Sequence, residues 1–292
     1  MKVLVTGGSG FLGGYIVEGL ERRGIDVHIF DFVVPPFGTG AKVIIGDIAE
    51  GLLDLGSDYD AIFHCAGILG TSVTFDRVER TERVNVIGTI KVLEKFRQGP
   101  LILQPNAIDQ WLNPYMTSMI ARERYGLMYR KEFGTRFVSV RLAHAYGPRQ
   151  STSQGKAVPG FILNAVENKP LLIYGDGSTV MNLAYGEDLA EYMIGLLWEN
   201  IEADIVTALS YDDITVIDLA EKIIGLVGSE SEIRFVPMRR GQPQRVEYRY
   251  SDLVESPVIV SGSVSLDEGL IKTIEWYKEK LKLFTTVPVH GD

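Results

Sequence analysis

Thr6-Gly7-Gly8-Ser9-Gly10-Phe11-Leu12-Gly13 sets three glycines at GxxGxxG spacing between an apolar run and an amphipathic one. A pyrophosphate needs bare backbone N–H groups beside the start of a helix. Glycine supplies the tight turn, the close approach and the close helix–strand packing. Asp31 ends the next apolar run, 18 residues after Gly13. A carboxylate there can accept both adenosine ribose hydroxyls and would repel a 2′-phosphate, which favours NAD over NADP. Gly7, Gly10, Phe11, Leu12, Gly13 and Asp31 are therefore candidate cofactor contacts. A glycine triplet alone says little; the strand before it, the helix after it and the carboxylate beyond give it weight.

The elements that must hold this turn are readable around it. Apolar runs at 2–6, 26–30, 42–45, 61–64, 101–103 and 136–142 read as strands. Helical patterns at 11–22, 75–96 and about 114–133 separate several of them. Strands rich in Val and Ile, apolar on both faces and alternating with helices, predict a doubly wound α/β fold with a parallel sheet. Past Pro148 the texture changes to a polar stretch at 149–160, a helix at 158–166 and a GDGS turn at 175–178. An amphipathic stretch at 187–198 could return to cover the sheet, and helices follow at 216–227 and 266–281, with a basic loop at 238–245 between them. The expected division is a dinucleotide-binding domain at 1–150 and a smaller α/β substrate-binding domain at 151–292, with about 182–205 returning to the first.

Composition narrows the function. The 292 residues are 46% hydrophobic and 23% charged, which excludes a disordered or fibrous chain. A net charge of −9 argues against a non-specific nucleic-acid binder, which needs clustered Lys and Arg. The single Cys65 cannot form an internal disulfide, and no Cys/His cluster has zinc-ligand spacing, so no metal is expected. His28 and His64 alternate with apolar strand residues and read as structural. No run has the length for a membrane span and no leader pattern opens the chain, so a cytoplasmic protein without a membrane partner is expected.

Further motifs extend the pattern along almost the whole chain. They are Gly46-Asp47-Ile48, Phe63-His64-Cys65-Ala66-Gly67, Val84-Asn85-Val86-Ile87-Gly88-Thr89, RLAHAYGPRQ from Arg141, YGDGS from Tyr174, and Glu268-Gly269-Leu270 before Trp276. Together with GGSGFLG they resemble the extended short-chain dehydrogenases/reductases, in the nucleotide-sugar epimerase/dehydratase branch. That resemblance implies a Rossmann domain, NAD as cofactor and a nucleotide-sugar substrate. It also implies a homodimer formed through a four-helix bundle of the two long helices. It adds Asp47 and Ile48 at the adenine and Ala66 and Gly67 beside the nicotinamide. Arg239 and Arg240, ahead of Gly241, resemble its phosphate-binding RxG.

The catalytic set departs from the family. Tyr115 matches the tyrosine of YxxxK, which exchanges a proton with a sugar hydroxyl and also contacts the cofactor, but the lysine position is Met119. A thioether carries no charge, so the phenol sits nearer its ordinary pKa of ~10 unless another cation replaces the lysine. The family serine has no counterpart. Gln104 and Asn106 are the polar residues near its place, and Thr117 and Ser118 lie on the tyrosine's own helix. The family asparagine of RxxNVYGP is His144, a candidate surrogate acid/base or cation, or a merely hydrogen-bonded strand-end histidine. RDF of the family hairpin is Met181-Asn182-Leu183. Two functions remain open. One is NAD-dependent epimerisation, dehydration or a related modification of a nucleotide sugar through transient oxidation at a ring hydroxyl. The other is a catalytically impaired NAD-binding regulatory or partner protein.

Overall fold

A computed structural model describes all residues except 53–54, 110, 153–154, 212, 244–257, 261–263 and 287–292. The end of the basic loop, at 244–245, and part of the polar stretch, at 153–154, lie outside the described residues.

The Val/Ile-rich runs form β1 (Lys2–Thr6), β2 (Asp26–Asp31), β3 (Lys42–Ile45), β4 (Ala61–His64), β5 (Leu101–Ala107) and β6 (Phe137–Leu142). With β10 (Ile205–Leu209) and β13 (Val258–Ile259) they make one sheet in the order β13-β10-β6-β5-β4-β1-β2-β3. Every pairing in it is parallel. Alternate side chains point to opposite faces, so Val3 and Val5 join one core and Leu4 the other. The first core is closed by α1 (Phe11–Arg22) and α6 (Gly186–Gly195), through Ile16, Leu20, Met193 and Ile194. The second is closed by α3 (Gly88–Lys95) and α4 (Pro114–Phe133), through Val92, Leu93 and Tyr129.

β5 runs through Pro105, which lacks the N–H a central strand needs. The position is tolerated because pairing with β4 ends at Phe63–Leu103, while β6 continues alongside to Ala107. α4 starts where Asn113 accepts the Met116 N–H at 2.8 Å, with Pro114 at the first turn, and stops at Gly134 with φ 70°.

The helix expected over 75–96 is present, but its turns change type along its length. A 3₁₀ turn at Val73–Arg77 leads into α2 (Val78–Glu82), and a π turn at Arg83–Ile87 precedes α3. The widened turn carries Asn85, whose Oδ1 accepts the Ile68 N–H at 2.7 Å and whose Nδ2 donates to the Ile68 carbonyl at 2.9 Å. Thr89 Oγ1 donates to the Asn85 carbonyl at 2.7 Å. A tertiary bond therefore overrides the local helical period.

The second lobe holds strands that the sequence pattern did not announce. β7 (His144–Tyr146) pairs in parallel with β9 (Val180–Tyr185), which pairs antiparallel with β11 (Asp213–Thr215). β8 (Leu171–Tyr174) pairs with β12 (Ile233–Val236). α5 (Ala157–Val166), α7 (Val216–Val227) and α8 (Leu266–Thr286) pack over a core that includes Phe161, Ile173, Ile223 and Leu270. The chain returns to the large sheet through α6 and continues in it to Leu209, beyond the expected limit near 205.

Gly126 measures how closely α4 lies on β6, since a Cβ there would stand 2.1 Å from the fully buried Phe137 ring. Gly126→Ala is expected to destabilise the protein by about 1–3 kcal/mol or more, read as a lower denaturant midpoint. An unchanged midpoint would mean that the helix shifts freely.

Candidate active site

Chain order runs outward from β1 through β2 to one edge and from β4 through β5 and β6 to the other, so the sheet has its switch point between β1 and β4. Open α/β sheets bind ligands in the crevice at such a point, beyond the carboxyl ends of the strands. The glycine turn lies there. Gly7 has φ 72°, and its N–H donates to the Phe30 carbonyl at 2.9 Å. A Cβ on Gly7 would meet Ala66 N at 2.6 Å, and one on Gly13 would meet the Gly7 carbonyl at 2.2 Å. Three backbone segments thus touch where a side chain would separate them. Gly10 precedes α1 with no side-chain cap, which leaves the first N–H groups of Phe11–Gly13 available to an anion. This cradle fits a dinucleotide pyrophosphate.

Asp31 sits at the end of β2 and is 8% exposed. Its Oδ2 accepts the Ser9 N–H at 3.0 Å, and its Oδ1 accepts the N–H groups of Phe32 at 2.7 Å and Val33 at 3.3 Å. The carboxylate is therefore locked to the glycine turn, with much of its acceptor capacity already used. Asp47 accepts the Ala49 N–H at 2.9 Å and Arg80 at 2.5 Å. Burial pushes its carboxyl up, but these two donors outweigh it and hold the group below the usual range. Ile48 is buried against Gly88, and Ala66 and Gly67 follow β4 beside the turn.

His64 is a tie between elements. Thr89 Oγ1 already donates to Asn85, so it accepts from His64 Nε2 at 2.8 Å, and His64 Nδ1 accepts from Thr6 Oγ1 at 2.7 Å. Burial holds the ring well below the ordinary histidine pKa and therefore neutral. His28 bonds the Tyr59 hydroxyl at 2.8 Å. Burial raises the Cys65 thiol to about 12, which leaves it protonated.

Tyr115 stands in the first turn of α4, 7% exposed, and its hydroxyl bonds to none of the described residues. Burial raises the phenol to about 12, against the opposing charge of Arg122. Met119 packs with Tyr115 and Met116 as a core side chain. Gln104 and Asn106, near the missing serine, belong to a buried polar network. Gln104 Nε2 donates to Asn106 Oδ1 at 3.2 Å, Asn106 Nδ2 to Ser139 at 2.9 Å, and Ser139 Oγ to Glu123 at 2.5 Å. Glu123 is in turn held by Arg141 at 2.6 and 3.0 Å. Ser118 is absorbed too, accepting from Asn85 at 2.8 Å and donating to the Tyr115 carbonyl at 2.7 Å.

His144 opens β7. Its Nδ1 donates to the Asn182 carbonyl at 3.3 Å, and its Nε2 lies 3.3 Å from Oδ2 of the buried Asp109. Lys156, just ahead of α5, brings its ammonium to 5.8 Å from the Tyr115 ring centre. Among the described residues it has no hydrogen bond or ion pair. Burial and the charge of Arg239 lower its pKa. Arg239 donates to the Gly155 carbonyl at 2.8 Å and to Gln242 at 2.6 Å. Arg240 stacks instead on Phe75, 3.9 Å from the ring centre, so the two arginines face different surroundings.

Asp109, Arg122 and Lys156 were not anticipated from the sequence. Lys156 meets Tyr115, and Asp109 meets His144, only through tertiary folding. Arg122 had a local signal, since positions 115, 119 and 122 share one helix face.

The glycine cradle at the switch point and the carboxylate locked to it define a dinucleotide-binding protein of the α/β class. The chain belongs to the NAD dependent epimerase/dehydratase family, whose profile matches residues 3–105 and 104–206, and NAD is its cofactor. The UDP-N-acetyl-alpha-D-glucosaminuronate decarboxylase of Bacillus cytotoxicus is 26% identical over 317 residues, covering 95% of this chain and 98% of that one. UDP-glucuronic acid decarboxylase 1 of Danio rerio is 26% identical over 318 residues, covering 96% and 73%. The solved UDP-glucose 4-epimerase of Thermotoga maritima shares the fold, with a TM-score of 0.86 at 23% identity, covering 96% of this chain and 100% of that one. No described helix is long and apolar enough to cross a membrane.

Calorimetry tests the cradle. Gly13→Ala is expected to weaken NAD binding at least tenfold, because its Cβ must displace the Gly7 carbonyl. The native protein should bind NAD more tightly than NADP. Equal affinity would remove Asp31 from the role of ribose acceptor.

Proposed function

We propose that the protein modifies a nucleotide-activated sugar by transient oxidation at a ring hydroxyl, leading to epimerisation, dehydration or decarboxylation. The observation that carries this is the Tyr115 hydroxyl, which has no partner among the described residues, on a side chain packed against Leu69, just past the Ala66–Gly67 segment. Bound NAD would accept and return the hydride. Gly7, Gly10, Phe11, Leu12 and Gly13 would hold its pyrophosphate, Asp31 its adenosine ribose, Asp47 and Ile48 its adenine end, and Ala66 and Gly67 its nicotinamide end. Tyr115 takes the proton from the sugar hydroxyl and gives it back, while the His144–Asp109 pair offers a second proton-active group. Arg239, with Lys156 near it, faces the diphosphate. Arg240 is a weaker candidate because its guanidinium stacks on Phe75. In this division of labour residues 1–150, with the returning α6 and β10, serve the cofactor, and the remainder of 151–292 serves the sugar nucleotide.

A second reading, an NAD-binding regulatory partner, is favoured by Met119 and by a phenol raised to about 12. The curated relatives named above are named as enzymes, which weighs for the first. A panel of nucleotide sugars separates the two. A true substrate should produce a reduced-nicotinamide signal in the NAD-loaded protein. Tyr115→Phe should lower that rate roughly 10²–10⁴-fold with NAD affinity little changed. An unaffected rate would move the proton to His144.

The protein is also proposed to form a homodimer by pairing the helical segment around 75–96 and α4 with their copies. Within these segments Val84 and Val86 are buried in their own protomer. Ile87, Ile120 and Met128 do face outward, joined by Val78 and Tyr125. A closed two-fold pair is the common way to cover such a surface. Light scattering at micromolar concentration should report twice the 32.4 kDa chain mass, and a monomer alone would contradict this.

A further inference from the structure

Met119 leaves Tyr115 without the lysine that its family places there. We propose that Arg122 takes over the electrostatic part of that lysine's work, as a fixed positive charge on the tyrosine's own helix. The proposal rests on Tyr115 being the proton-transfer group, and makes Arg122 a positioning residue that acts through it.

Three observations converge. First, Arg122 lies on the same face of α4, three residues beyond Met119, and is 2% exposed. Second, its guanidinium is clamped rather than free. Nε donates to Asn106 Oδ1 at 3.0 Å, Nη1 to the Ala66 carbonyl at 3.3 Å and Nη2 to the Pro105 carbonyl at 2.5 Å. Pro105 is placed where β4 pairing has already ended, so its carbonyl is available to the arginine. Nη1 also lies 3.3 Å from where a Gly67 side chain would begin, so the guanidinium adjoins the segment assigned to the nicotinamide end. Third, all three acceptors are neutral. The adjacent carboxylate, Glu123, is committed to Arg141 and Ser139. The charge is therefore held in place but not cancelled by an ion pair, in an interior where fields are weakly screened. A guanidinium is suited to this because it is less strongly hydrated than an ammonium and donates through a rigid fork.

The other charged and titratable groups around Tyr115 do not supply the same charge. Asp109, after β5, opposes phenolate formation and is paired with His144 from β7. His64 at the end of β4 and Cys65 just beyond it are held neutral. Lys156 approaches the ring from the second lobe, and burial beside Arg239 weakens its hold on a proton. Burial also lowers Arg122, to about 10, which leaves it charged at neutral pH.

The test reads the phenol itself. Difluorotyrosine, which is more acidic than tyrosine, is placed at position 115 of the full chain and titrated by fluorine NMR. Arg122→Gln keeps hydrogen-bonding capacity and removes the charge. It should raise the midpoint by one pH unit or more, tenfold less phenolate at a given pH. Arg122→Lys should stay closer to the native midpoint, and Met119→Lys combined with Arg122→Gln should recover most of the shift. Should Arg122→Gln not fold, Arg122→Met provides the neutral variant. A native midpoint in a folded neutral variant overturns the proposal, as does a larger shift from Lys156→Met. The shift is measurable whether or not any sugar nucleotide is turned over, so failure of the proposed reaction would remain a separate result.

Discussion

The architecture turns on one crowded point, where the Gly7 carbonyl, the first turn of α1 and the backbone at Ala66 come within contact of one another. No side chain fits at Gly7 or Gly13 without moving a strand or the helix. That closeness brings the start of α1 to the switch point between β1 and β4 and aims its uncapped N–H groups outward. The remaining features are arranged around it. Asp31 is tied to the turn through Ser9, and His64 links β1 to α3 through two threonines beneath the cleft.

The residues proposed to handle the proton lack the lysine and serine that the family resemblance implies. A core methionine fills one place, and the other is drawn into a network running from Gln104 through Asn106, Ser139 and Glu123 to Arg141. Such networks are costly when incomplete, and Gln104 Oε1 remains a buried acceptor with no partner. Tyr115 stands in the first turn of α4, with Arg122 on the same helix and the Lys156 ammonium of the second lobe 5.8 Å from its ring centre. Residues from both lobes therefore come together at Tyr115, so placing a substrate there also bears on how the lobes meet.

The cofactor half was legible because its signals are local. Glycine spacing, a carboxylate at a strand end and short runs buried on both faces each specify structure within a few residues. The helix at 75–96 is legible in its extent, but its π turn is not, because Asn85 bonds Ile68, a partner that no periodicity contains. The second lobe was opaque because its strands are short and one-sided. In β8, Leu171 and Ile173 are buried while Leu172 and Tyr174 face outward. The meetings of Asp109 with His144 and of Lys156 with Tyr115 are long-range products of folding. Arg122 could have been found by following the tyrosine's helix face one further turn.

The central claim is that the cradle delivers the reactive end of NAD to Tyr115. A crystal structure of the NAD complex tests it through the distance between the Tyr115 hydroxyl and the nicotinamide ring. The account predicts the pyrophosphate on the Gly7–Gly13 turn and the nicotinamide within van der Waals or hydrogen-bonding reach of Tyr115. A nicotinamide directed elsewhere, or a Tyr115 hydroxyl sealed from it by protein, would contradict the account.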